Sequence, residues 1–236
     1  MCKCPQALTV LNLIKNCEIT HPARFGTFVR SIKLFSAPGN AGVSLSIIQV
    51  EQMKLFSESF INDCRKADKK AQKLLFEQLY APMFRVCMRY VGSEADAEDC
   101  LMRGFMKMFQ NLDRFIYENE HSLFVWTRRI MVNESLMFLR QRTNFMLTID
   151  EEVENIPLQA EIIQQLDAEE LYGLILKLPA GYRAVFNLNV VEGYDHKTIA
   201  EMLGTTESTS RTQLAKAKNK LKIMLEQTTT RYGKQG

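Results

Sequence analysis

The stretch LPAGYRAVFNLNVVEGYDHKTIAEMLGTTESTSRTQLAKAKNKLKIML, residues 178–225, decides the fold. Asp195 stands where an N-cap is needed, ahead of Ile199, Ala200 and Leu203 at helical spacing. Gly204 supplies the positive φ that stops this helix and turns the chain. Thr205 and Thr206 offer a cap for a second helix, whose apolar arc is Leu214, Ala217, Leu221, Met224 and Leu225. At about 100° per residue, Arg211, Lys218 and Lys222 fall nearly on one line away from that arc. A solvated lysine face on an ordinary surface helix would share that charge pattern. The tight turn and the helix lengths on both sides favour instead a helix-turn-helix suited to a DNA major groove.

Outward from this motif, the bulk properties bound the rest. The 236 residues suffice for one large domain or two small ones, and 46% hydrophobic with 24% charged residues is an ordinary globular composition. The net charge of +3 does not argue for nucleic acid by itself. Its distribution says more. Eight acids and no Lys or Arg lie between Asp150 and Glu170, whereas residues 207–226 carry five basic residues against two acidic. The acidic middle repels a polyanion and the basic end attracts one. Cysteines at 2, 4, 17, 64, 87 and 100 make no metal-ligand pairs, and the last three sit in helical patterns as small hydrophobes. A reduced, cytoplasmic protein without disulfides is the expectation. No apolar run reaches the roughly 20 residues of a membrane span, and the short apolar run 7–14 lacks a cleavage signature, so neither membrane insertion nor a signal peptide is expected.

Along the chain, residues 1–52 gather Pro and Gly and keep no sustained period, so they read as a poorly ordered extension, with Met53 an alternative start. The alternating octapeptide 43–50 is too isolated to pair as a strand. From Leu55 the helical period persists. Amphipathic segments cover about 55–67 and 70–91, the latter expected to kink or split at Pro82 and to end at Gly92. Ser93 caps a third helix with Asp96 in a capping-box-like place, its core stripe being Ala97, Leu101, Phe105, Met108 and Leu112. A loop, IYENEH, precedes a fourth helix over about 122–141. Residues 143–166 carry the acid run and Pro157 and read as a linker; helices return over 167–177 and 182–191, and Gly193 precedes the helix-turn-helix. The expected fold class is all-α: two small helical domains, 53–142 and 167–227, joined by the acidic linker 143–166, with a tail 228–236.

Three stretches carry a resemblance: RYVGSEADAEDCLMRGFMKMFQNLDRF (89–115), FVWTRRIMVNESLMFLRQR (124–142) and LPAGYRAVFNLNVVEGYDHKTIAEMLGTTESTSRTQLAKAK (178–218). Together, over about 54–227, they resemble a bacterial RNA polymerase sigma factor of the extracytoplasmic-function group. The resemblance implies a promoter-specificity subunit whose partners are core RNA polymerase and promoter DNA. It implies no cofactor, no metal and no catalytic chemistry of its own. An anti-sigma factor is a partner the family admits, though no residue pattern here encodes one.

The resemblance also assigns positions. Asp96, Glu98 and Asp99 match the acidic motif that docks on the clamp coiled coil of the polymerase's largest subunit. Met102 and Arg103 stand where the family usually has Gln-Glu, so Arg103 reverses a charge within this core-binding face. Gly104 costs that helix about 1 kcal/mol relative to Ala. Asn119, Glu120 and His121 match the loop that captures a flipped base of the −10 element, a step that costs a few kcal/mol of unstacking. Trp126, Arg128 and Arg129 match the segment over which that element melts, although a lone Trp on a helix is more often core than base-stacker. Asn133 matches a −10 contact, and Met137 replaces a residue often polar. Ser208, Thr209, Arg211, Thr212 and Lys216 match recognition-helix positions at the −35 element, and Lys218 joins them as a phosphate contact. Ser210 falls on the buried arc, where its hydroxyl is expected to bond back to its own helix. The acidic linker resembles the segment that threads the polymerase's RNA path.

A helix-turn-helix regulator acting without polymerase is the competing reading. It leaves the acidic helix and the Trp126 segment without a role. A helical enzyme fits less well still: His21, His121 and His196 are scattered, and no Gly-rich phosphate loop is present.

Overall fold

The computed structural model describes residues 56–119, 121–142 and 168–232. The extension 1–52, the octapeptide 43–50, the linker 143–166 and Glu120 lie outside the described residues. Among those described there is no strand.

The first unit consists of α1 (Glu58–Arg65), α2 (Lys69–Val91), α3 (Glu94–Gln110), a 3₁₀ turn (Leu112–Arg114) and α4 (Ser122–Gln141). Helices start where side chains satisfy the first free N–H groups. Ser57 accepts from Phe60 N at 3.3 Å and Asp68 accepts from Lys70 N at 3.2 Å. Ser93 occupies the N-cap of α3 in an extended conformation but makes no side-chain cap bond, so the capping-box reading fails there. Pro82 does not split α2, which runs through it as one helix. The proline's missing hydrogen bond costs about 3 kcal/mol, and the burial of Leu79, Met83 and Val86 on both sides of it offsets that cost.

Helices α2, α3 and α4 pack as a bundle around Leu75, Phe76, Leu79, Leu101, Phe105, Met108 and Leu136. Gly104 lies on the buried face, where a Cβ would meet Met131 Sδ at 2.2 Å. The glycine therefore lets α3 approach α4, which its helix propensity alone does not reveal. Arg65 ties α1 to the loop after α3, donating to Leu112 O at 3.2 Å and to Phe115 O. Cys64, Cys87 and Cys100 are buried and free, and burial pushes the Cys64 and Cys87 thiols up to about 12. They act as core hydrophobes, as their spacing suggests.

The second unit consists of α5 (Ala168–Leu176), α6 (Ala180–Phe186) continued by a π turn (Asn187–Val191), α7 (His196–Leu203) and α8 (Glu207–Tyr232). Helix α8 covers α6 and α7 through Leu214, Ala217, Leu221 and Leu225. It extends five residues beyond the expected boundary at 227.

The two units do not stand apart: their buried residues form one continuous hydrophobic cluster. Arg183 of α6 closes the seam. Its guanidinium donates to the carbonyls of Tyr90 and Val91 in the first unit and of Leu176 and Leu178 in its own, at 2.9–3.0 Å. Gly92 makes room: it ends α2 at φ 74°, and a Cβ there would lie 2.6 Å from the Arg183 guanidinium. Burial lowers the Arg183 pKa, yet four carbonyl dipoles compensate a charge otherwise costly to bury.

Candidate polymerase and promoter interfaces

The helix-turn-helix forms by the local chemistry expected. Asp195 Oδ1 accepts from Thr198 N at 2.7 Å, and that backbone hydrogen bond holds its carboxyl below the usual value. Gly204 closes α7 at φ 67°. Thr206 caps α8, accepting from Thr209 N at 3.1 Å, with the two threonine hydroxyls 2.8 Å apart. Of the −35 residues, Ser208, Arg211 and Thr212 are exposed on the first turns of α8, while Thr209, Lys216 and Lys218 are half-buried. Arg211 pairs with Glu207 one turn earlier. Ser210 is buried, but it does not bond back along its helix; its hydroxyl lies 2.9 Å from His196 Nδ1. That contact joins the two helices of the motif. Burial, then the neighbouring Arg211, lowers the His196 pKa.

Of the −10 residues on α4, Trp126, Arg129 and Asn133 share one side of the helix, and Arg128 lies on the other. Asn119 and His121 are exposed in the preceding loop, where Asn119 Oδ1 accepts from His121 N at 3.0 Å. Trp126 is half-buried, its ring 5.0 Å from that of Phe115. It packs against the core and also lines an open hollow of about 370 Å³ with Lys107, Arg114, Asn133 and Glu134. Arg129 and Asn133 are exposed. Arg128 is not: it donates to Glu192 of the second unit at 2.9 Å, with its side chain 13% exposed.

On the acidic helix α3, Glu98 and Asp99 are exposed, whereas Asp96 is half-buried and bound by Arg142 at 2.7 Å. The guanidinium of Arg142 also lies over the Phe138 ring, 4.6 Å from its centroid. Arg103 leans inward, 4.0 Å from Glu134, and Lys107 donates to Glu134 at 2.5 Å. Glu134 is 3% exposed. It anchors two cations that helical spacing places in solvent, and sequence reasoning missed it because its partners lie on another helix. Arg89, Arg183 and Glu192 were missed for the same reason.

Among the described residues, no three His, Cys, Asp or Glu side chains gather as metal ligands, and no helix is long and apolar enough to cross a membrane.

Residues 75–145 match the family model for sigma-70 region 2, and residues 168–221 match that for sigma-70 region 4. The chain is 24% identical over 187 residues to the ECF RNA polymerase sigma factor SigW of Bacillus subtilis, covering 73% of this chain and 98% of that protein. It is 22% identical over 186 residues to the ECF RNA polymerase sigma-E factor of Haemophilus influenzae, covering 73% and 97%. With the ECF sigma factor SigM of Mycobacterium tuberculosis it shares 26% over 158 residues, covering 67% and 79%. The region 2 match accounts for α3 and α4, which a free-standing helix-turn-helix regulator leaves without a role. With both regions matched in order, the chain belongs to the extracytoplasmic-function sigma factors of bacterial RNA polymerase, and it directs promoter-specific transcription.

Proposed function

We propose that the two units divide promoter recognition residue by residue. The first unit, residues 53–142, docks on core polymerase through Asp96, Glu98, Asp99 and Arg103. It receives the −10 element on Asn119, Glu120, His121, Trp126, Arg128, Arg129 and Asn133. The second, residues 167–227, reads the −35 element with Ser208, Thr209, Arg211 and Thr212, while Lys216 and Lys218 hold phosphate. The acidic linker 143–166 lies in the polymerase's RNA path, where its charge mimics a transcript. The protein works in the cytoplasm, performs no chemistry itself, and is held in check by an anti-sigma factor covering these same faces. The observation that carries this reading is the capped helix-turn-helix, with Asp195, Gly204 and Thr206 in their required conformations and Arg211 exposed at the start of α8.

Docking through Asp96 exchanges Arg142 for a basic partner on the polymerase. Asp96→Lys with Asp99→Lys is therefore expected to weaken core binding at least tenfold, about 1.4 kcal/mol, with helicity nearly intact. Circular dichroism and a core-binding titration on one sample check both statements. A folded double mutant with unchanged affinity would remove the docking assignment.

A further inference from the structure

At the seam, Glu192 lies between two arginines. Its Oε1 accepts from Arg89 Nη2 at 2.8 Å and from Arg128 Nη2 at 2.9 Å, with the Tyr90 hydroxyl 3.4 Å away. The Arg89, Arg128 and Glu192 side chains are 12%, 13% and 11% exposed. Two positive charges thus face one negative charge in a place largely closed to water. The donors also outnumber what the carboxylate accepts, since the Nε atoms of both Arg89 and Arg128 are buried without a partner. A guanidinium binds best through two parallel N–H groups, and here each engages through one. A tetrahedral phosphodiester brings the same single negative charge with oxygens spread in more directions, so it suits this donor set better than a carboxylate.

Arg128 is one residue from the exposed Arg129, but at about 100° per residue it lies on the side of α4 away from Trp126 and Asn133, turned to the second unit. It is the resemblance, not a shared face, that assigns it to the −10 element. Arg89 belongs to none of the assigned sets. It comes from the end of α2 and meets Arg128 only through Glu192. The carboxylate is presented from the end of the π turn, immediately before Gly193 at φ 79°. If the seam parts, Arg183 keeps the Leu176 and Leu178 carbonyls of its own unit, so separation does not strand it.

We propose that Arg89 and Arg128, with the Tyr90 hydroxyl, form a binding site for a DNA backbone phosphate, and that Glu192 occupies this site in the free protein. Promoter binding then requires the first unit to exchange Glu192 for phosphate as the second unit moves away. The inference rests on reading Arg128 as promoter-facing. Because it is tested with DNA of mixed sequence, its failure leaves that assignment, which is judged by promoter choice, standing.

The test uses the full-length free chain and a short fluorescent duplex of mixed sequence, followed by anisotropy over a potassium chloride series. E192Q is expected to bind several-fold tighter at low salt. Its log–log salt slope should steepen by about 0.9, the release expected for one phosphate contact. In the R89Q/E192Q double mutant the gain should largely disappear. Wild-type affinity in E192Q, or an equal gain with Arg89 removed, overturns the site. Holoenzyme supplies a second measurement that does not depend on E192Q folding: R89Q should flatten the salt slope on the same duplex by about 0.9. An unchanged slope in a holoenzyme that still initiates transcription overturns the phosphate site alone. Failure of the wild-type holoenzyme to initiate would instead overturn the reading of promoter function.

Discussion

Arg211 and Lys218 sit two turns apart on α8 and should contribute differently to promoter choice. Arg211 is exposed and held only by Glu207, an exposed pair of the kind worth little, so it can leave that partner for a base edge. Arg211→Ala is expected to cost about 1–3 kcal/mol of promoter affinity and to relax preference at one −35 position. Lys218→Ala should weaken every promoter alike and flatten the salt dependence, as loss of a phosphate contact does. Binding titrations on a panel of −35 variants separate the two; equal effects on all of them would contradict this division. The residues that were legible in the sequence, Asp195, Gly204 and Thr206, act on backbone groups within a few positions of themselves. Helical spacing alone would satisfy Ser210 within its own helix, but its partner is fourteen residues away on the preceding helix. Glu192 was not legible at all, because Arg89 and Arg128 lie 103 and 64 positions upstream.

Single-helix periodicity places the helices of both units well, because one buried face repeats every three or four residues whatever covers it. It does not show how closely two helices approach. Gly104 illustrates the gap: propensity marks it as a weakness in α3, whereas packing against Met131 requires it. Gly104→Ala should therefore destabilise the first unit by about 1–2 kcal/mol, although Ala is the better helix former by nearly 1 kcal/mol. Met131 is fully buried and has little room to yield to the added methyl group. Urea unfolding of the variant checks the sign; stabilisation would show that α3 and α4 can separate at no cost. Pro82 teaches the converse. Its local rule favours a break, yet apolar side chains buried on both sides keep α2 whole. Trp126 could not be decided from its helix alone, since the same ring both packs on Phe115 and lines the hollow.

For the molecule as a whole, helical period reads as two units in sequence order but is silent on their shared core, which joins buried residues far apart along the chain. A chain truncated to begin at Met53 is expected to fold, bind core polymerase and initiate at the same promoters. The five basic residues it loses should reduce affinity for DNA only at low salt, through fewer released counterions. Side-by-side run-off transcription and melting curves test this, and loss of folding or core binding on truncation would place the extension in the first unit's core. The Arg183 cage has a further consequence for how the joint tolerates mutation. Its acceptors in the first unit are main-chain carbonyls of Tyr90 and Val91, present whatever side chains those positions carry. Drift at those two residues cannot delete the acceptors. Position 92 is different, because any side chain there must both hold a left-handed backbone and displace the guanidinium. One half of the joint is thus written in backbone and buffered against substitution, and its vulnerability is concentrated at a single glycine.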